Sequence, residues 1–219
     1  MPERRLRQRL IAMLLLALVL SALARAEAGD AWMLILVNRE HPLPDGYQVT
    51  ELVEVRGGQK VDRRIYPALQ NMFDAARSSG LQVVVRSGYR TRKQQEQMLL
   101  KKYNEYLKKG NTDQKARELA LAWVAYPGTS EHEAGLGVDI NAASGSSKNR
   151  VYSWLSANAW KYGFVLRYPE SKTHITGIIN EPWHYRYVGT EAAADMQQTG
   201  LCLEEYLLVR ALAENRPLE

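Results

Sequence analysis

Asp139 lies between Val138 and Ile140 in the segment Gly137–Asn141, and that alternation admits few local structures. As a strand, the segment turns Val138 and Ile140 into the core and Asp139 to the opposite face. A carboxylate between two buried aliphatic neighbours is costly unless a cation or a full set of donors meets it. His132 precedes it by seven residues, and Gly135 and Gly137 between them permit a tight connection that brings both side chains to one point.

Glu181-Pro182-Trp183-His184 supplies a second imidazole and a second carboxylate. Pro182 biases Glu181 to an extended conformation and stops a helix from crossing the block, which excludes the helical His-Glu-x-x-His arrangement. Glu181 is expected in a turn and His184 on the strand after it. On that strand His184, Arg186 and Val188 face one way, and Trp183, Tyr185 and Tyr187 the other. A third block, Ser87-Gly88-Tyr89-Arg90, follows the β-branched run Leu81–Val85 and leads into a helix. Packing on both sides fixes Arg90, which can then meet a substrate carboxylate or a developing oxyanion bidentately, with Gln95 on the same helix able to join it.

Two His and one Asp to hold a metal, one Glu to work its water and one Arg to hold charge make the inventory of a mononuclear zinc hydrolase. The chain has four histidines. His41 falls in a proline-rich connection and His174 in a polar loop before Gly177, so surface or loop-anchoring roles are expected for both, with His174 close enough to the Glu181 loop to be a rim residue. Cys202 is the only cysteine, which excludes an intramolecular disulfide and a thiolate zinc site. It is expected as a small buried residue of the C-terminal segment.

The formal charge of +5 is concentrated at the N-terminus. Arg4, Arg5, Arg7 and Arg9 precede an apolar run from Leu10 to Leu23, and Ala22, Ala24 and Ala26 offer small residues at cleavage-site spacing, the layout of a secretory signal. The run is short for a bilayer span, which needs about 20 residues, so cleavage is expected over retention as an anchor. Cleavage after Ala26 leaves 24 basic against 23 acidic side chains, and a nucleic-acid partner loses its support.

The remaining sequence predicts a mixed α+β domain, a small sheet with helices on one side. Strands are expected at Met33–Val37, Thr50–Val55, Leu81–Val85, Gly137–Asn141, Phe164–Leu166 and Tyr185–Val188. Helices are expected over Ile65–Ser79, over Arg92–Lys108 with Thr91 as N-cap, from Asn111 or Thr112 to near Pro127, over Asn149–Tyr162, and from Glu191 onward. Leu201–Leu212 carries an apolar stripe suited to packing on the domain or on a partner.

Ser87–Thr91, Ser130–Ile140 and Glu181–Gly189 together closely resemble the VanY-type D-alanyl-D-alanine carboxypeptidases, bacterial zinc peptidases related to the lysostaphin-type enzymes and the hedgehog domain. The resemblance runs from about Val37 to Gly189. It implies a small antiparallel sheet carrying one Zn2+ site, with helices packed behind it. It implies His132, Asp139 and His184 as zinc ligands, Glu181 as catalytic base, and Arg90 at the polarised carbonyl or the substrate's C-terminal carboxylate. Ser130 and Gln95 match positions that help hold that carboxylate. Glu133 stands where relatives often carry Gln, adding negative charge near the metal, and Gly137 stands where Ala is common and should be harmless.

The expected organisation is a signal peptide over 1–26, the zinc carboxypeptidase domain over 27–198 and a C-terminal helical extension over 199–219. The implied substrates are peptidoglycan stem peptides, met in the periplasm or cell envelope by a monomer with no membrane span after cleavage. Trimming of tetrapeptide stems by L,D-carboxypeptidase action and a non-catalytic, zinc-containing wall-binding module are the alternatives. A D,D-dipeptidase fits an exported chain less well.

Overall fold

The computed structural model describes residues 31–214; the expected signal peptide lies outside them. Two antiparallel sheets form. A hairpin pairs β1 (Leu52–Val55) with β2 (Gln59–Asp62). Four further strands, β3 (Val83–Ser87), β4 (Gly137–Ala142), β5 (Phe164–Leu166) and β6 (His184–Tyr187), lie in the order β3-β4-β6-β5. Helix α1 (Tyr66–Ser78) leads into β3; α2 (Arg92–Lys108) and α3 (Asp113–Leu121) follow it; α4 (Lys148–Asn158) follows β4. The short α5 (Thr173–Thr176), then α6 (Thr190–Thr199) and α7 (Leu203–Ala213), complete the described residues.

The core lies behind the four-stranded sheet. Leu69, Met72, Phe73 and Ala76 of α1 and Val151 and Leu155 of α4 bury against Val85, Val138, Ile140, Phe164 and Tyr185. The two-residue alternation of β4 is as the sequence predicts: Val138 and Ile140 are fully buried on this side, and Asp139 faces away. A second apolar cluster joins Val165 and Val188 to Ala193 and Met196 of α6 and to Leu203 and Tyr206 of α7. Leu203 and Tyr206 of the expected stripe are thus buried, while Leu208 and Leu212 stay exposed. Cys202 is buried at the start of that helix.

Three expectations need correction. Met33–Val37 forms no strand: a single 3-10 turn, Ala31–Met33, precedes an irregular segment. Its carbonyls at Met33 and Ile35 accept hydrogen bonds from the Arg186 guanidinium, at 2.8 Å each, where a strand would need a neighbouring backbone. Helix α3 stops at Leu121, not near Pro127, which frees the Ala122 and Ala125 carbonyls to accept from Ile179 and Gln95. The C-terminal helical region breaks at Gly200, whose φ of 69° caps α6.

One glycine is required by contact. Tyr89 N–H donates to the Lys60 carbonyl at 2.6 Å, pressing the Ser87–Arg90 turn onto β2. A Cβ on Gly88 would stand 2.1 Å from that same oxygen, a backbone atom with no rotamer to escape by. Gly88→Ala should therefore cost at least about 1–3 kcal/mol of folding free energy, the usual range for overpacking, and a denaturant midpoint lowered without loss of m-value would show it.

Candidate active site

One row across the sheet places the site. Ser87, Asp139 and His184 are direct cross-strand partners on β3, β4 and β6. Ser87 reaches this row through an irregularity. Val85 pairs with Ile140 on the core side, so alternation would keep Ser87 on that side too, but the register shifts between Val85 and Ser87. The extra residue turns Ser87 over to the Asp139 face.

His132 comes from the loop before β4. Residues 128–138 are all buried, and the loop closes on itself through Glu133 N–H to Ser130 O, Gly135 N–H to His132 O and Gly137 N–H to Glu131 O. Arg90 N–H donates to the His132 carbonyl at 3.1 Å, and His132 Nδ1 lies 2.7 Å from the Gly88 carbonyl, so loop and turn lock each other. His132 Nε2 and His184 Nδ1 converge on Asp139 Oδ1 at 3.4 and 3.0 Å. One ligand atom from each of His132, Asp139 and His184 lies within 4.8 Å of the others.

This arrangement fits a divalent cation. Each imidazole spends its far nitrogen outward, His132 on the Gly88 carbonyl and His184 Nε2 on Glu131 Oε2 at 3.3 Å, leaving the near nitrogen as a lone-pair donor. That is the usual orientation of metal-binding histidines. The charge balance agrees. Burial favours the neutral His184 ring, yet the carboxylates of Asp139 and Glu131 on its two sides carry its pKa up to about 9, so they favour positive charge on or beside the ring. Burial and the nearby Arg90 push His132 down to about 4, keeping it neutral.

Glu181 and Arg90 flank the cluster. Glu181 is buried, its N–H donates to the Tyr168 carbonyl at 3.1 Å, and its Oε2 lies 3.9 Å from His184 Nδ1. Burial lifts its carboxyl to about 7. Arg90 is held by three side chains: Nε donates to Ser87 Oγ at 2.9 Å, Nη1 to Gln95 Oε1 at 2.9 Å and Nη2 to Asp139 Oδ2 at 3.2 Å. Gln95 in turn donates to the Ala125 carbonyl at 2.8 Å, so it orients Arg90 and keeps one amide hydrogen to spare. Ser130, Gln95, Arg90, Glu181 and the His–Asp–His cluster all line one cleft of about 420 Å³. Trp123 and Trp183 stack with centroids 6.5 Å apart and line the same cleft.

Other expected residues lie elsewhere. His41 bonds Asn38 within its loop and His174 sits on α5; neither lines the cleft. Glu133 does not line it, accepting from Gly128 N–H at 2.7 Å with Arg92 3.7 Å away, though its charge still acts on Arg90. A Cβ at Gly137 would approach the His184 ring to 3.0 Å, tighter than a harmless alanine implies.

Sequence reasoning passed over Glu131. Its carboxylate is fully buried, with Oε1 accepting from Arg167 at 2.7 Å and Arg186 at 2.9 Å while Oε2 faces His184. A signal was present: two arginines beside apolar strand residues, in Val165-Leu166-Arg167 and Tyr185-Arg186-Tyr187, require a buried acid.

Residues 58–190 match the family described as VanY, D-alanyl-D-alanine carboxypeptidase. A D-alanyl-D-alanine carboxypeptidase of Enterococcus faecalis (strain ATCC 700802 / V583) is 53% identical over 184 residues, covering 83% of this chain and 68% of that protein. The solved structure of VanYB in complex with D-alanine-D-alanine superposes with a TM-score of 0.79 at 53% identity, over 81% of this chain and 98% of that one. A point mutant of the vancomycin resistance D,D-pentapeptidase VanY from a VanB-type cassette, in complex with Zn(II), gives a TM-score of 0.78 at 54% identity, over 80% of this chain and 99% of that one. Similarity of this extent in both sequence and fold leaves one conclusion: the chain belongs to the VanY family of D-alanyl-D-alanine carboxypeptidases.

Proposed function

We propose that this protein is a zinc-dependent carboxypeptidase that removes the C-terminal D-alanine from peptidoglycan stem peptides. The observation that carries this reading is the convergence of His132, Asp139 and His184 in one cleft, with Glu181 and Arg90 beside them. Zn2+ held by the three would supply Lewis acidity and a water of lowered pKa. Glu181 accepts the proton of the attacking water and passes it to the departing amine nitrogen as the peptide bond breaks. Arg90, fixed by Ser87, Gln95 and Asp139, donates to the carbonyl oxygen as negative charge builds there. Ser130 and the remaining amide hydrogen of Gln95 hold the terminal carboxylate of the substrate.

Such a substrate lies outside the cytoplasmic membrane, which supports export through the N-terminal signal at 1–26. The domain over 27–198 would carry the reaction, as a monomer, with α7 in the extension expected over 199–219, whose last five residues lie outside the described ones. Among the described residues no helix is long and apolar enough to cross a membrane.

Purified protein with zinc should release one alanine from a stem pentapeptide ending in D-Ala-D-Ala, read by mass spectrometry. Trimming of the tetrapeptide instead would transfer the assignment to L,D-carboxypeptidase action, and no cleavage of either would leave the wall-binding module. A chelator should abolish turnover, and stoichiometric Zn2+ should restore it. Glu181→Ala should keep the metal yet lose about 10²–10⁴ in kcat; full activity in that variant sinks the assignment of the base.

The pH profile follows from the same residue. A base must be deprotonated, and burial holds the Glu181 carboxyl up to about 7. A cation at the cluster draws it down. The acid limb of kcat/KM should therefore fall at or below pH 7, activity decreasing as pH drops, and the residual activity of Glu181→Ala should lack that limb.

A further inference from the structure

The family match ends at residue 190, yet a side chain well beyond it reaches the cluster through an unbroken chain of buried ionic contacts. Glu204, on the first turn of α7, takes Arg167 bidentately, Oε1 from Nη2 at 2.6 Å and Oε2 from Nη1 at 2.9 Å. Arg167 Nε donates to Glu131 Oε1 at 2.7 Å, and Glu131 Oε2 faces His184 Nε2 at 3.3 Å. Every link is sheltered: the side chains of Arg167, Glu131 and His184 are at most 4% exposed, and that of Glu204 is 15% exposed. The backbone adds a second tie, since Arg167 N–H donates to the His184 carbonyl at 3.2 Å.

Charge explains why Glu204 matters. Glu131 alone faces two guanidiniums, Arg167 and Arg186, and would be drawn to them and away from His184. Glu204 supplies the second negative charge, so two carboxylates balance two guanidiniums and one oxygen of Glu131 remains for the imidazole. We infer that Glu204 is a positioning residue of the metal centre, holding the ring of His184 through Arg167 and Glu131. The inference rests on the reading of His184 as a zinc ligand. It gives α7 a part in metal binding besides its apolar packing, and Asn38 Nδ2, 3.1 Å from Glu204 Oε1, fixes the carboxylate from the other side.

The test measures metal, not turnover. Glu204→Gln keeps shape and leaves one Arg167 N–H facing an amide donor. Its zinc affinity, from competition with a chromophoric chelator, should fall about tenfold or more, the lower end for lost outer-shell partners. The visible bands of the Co2+-substituted protein should shift with it, and Glu204→Asp should recover part of the affinity. Leu203→Ala, which loosens α7 while sparing the carboxylate, should lower Tm with zinc affinity unchanged. Wild-type affinity in a folded Glu204→Gln protein overturns the inference, and so does an equal loss in Leu203→Ala. Should the Gln variant not fold, Arg167→Lys, which cannot span both carboxylates, reads the same coupling, and unchanged affinity there overturns it as well. Wild-type protein that takes up no zinc would fail one step earlier, removing the reading of the site and this inference with it.

Discussion

The carboxylate of Glu131 is the interaction on which the rest of the site depends. Burying a charge costs several kcal/mol, and removing one partner of a buried pair typically costs about 3–5 kcal/mol because the other is left uncompensated. Here the stakes are doubled. Arg167 and Arg186 are both 1% exposed or less, and a single oxygen of Glu131 serves both. Because it also faces His184, the same group that makes the arginines tolerable in the interior sets the tautomer and direction of an imidazole in the His–Asp–His cluster. Stability and chemistry are coupled at one atom pair, so the loop carrying Glu131 cannot drift without disturbing both.

That coupling explains the architecture around it. Arg186 is on β6 and Arg167 follows β5, so the sheet itself delivers the two guanidiniums. The loop of residues 128–138 then has to bury a backbone with little regular structure, which it does by closing hydrogen bonds within itself and with the Ser87–Arg90 turn. The unpaired segment near Met33 and Ile35 saturates the far side of Arg186. Its expected strand fails for this reason. An apolar run signals burial, but only a neighbouring backbone makes a strand, and here a guanidinium occupies that place.

What the sequence made legible was local. Val138-Asp139-Ile140 announced a two-faced strand, Pro182 excluded a helix through Glu181–His184, and Thr91 announced the start of α2, whose capping box with Gln94 forms. These depend on period and dihedral preference, which neighbouring residues carry. The register shift before Ser87 and the anchoring of Gln95 on the Ala125 carbonyl were not legible, since each depends on partners far along the chain. Glu133 shows the same limit from the other side. Its place beside His132 suggested an added charge near the metal, but not that Gly128 and Arg92 would take its oxygens.

Arg90 illustrates how the two kinds of information combine. Its position between a buried strand and a helix marks it as fixed, but fixing the orientation of a guanidinium requires more than a fixed backbone. Ser87, Gln95 and Asp139 each take one of its nitrogens, and each of the three is itself held, by the shifted register, by Ala125 and by His184. Asp139 is shared between Arg90 and both imidazoles, so the orientation of the guanidinium and that of the cluster are set together. An arginine arranged this way loses little further entropy when negative charge develops in the cleft, which is the physical content of preorganisation. The same economy explains why the acceptors that hold Arg90 come from β3, β4 and α2: a group that must not move is best anchored to elements that cannot move independently.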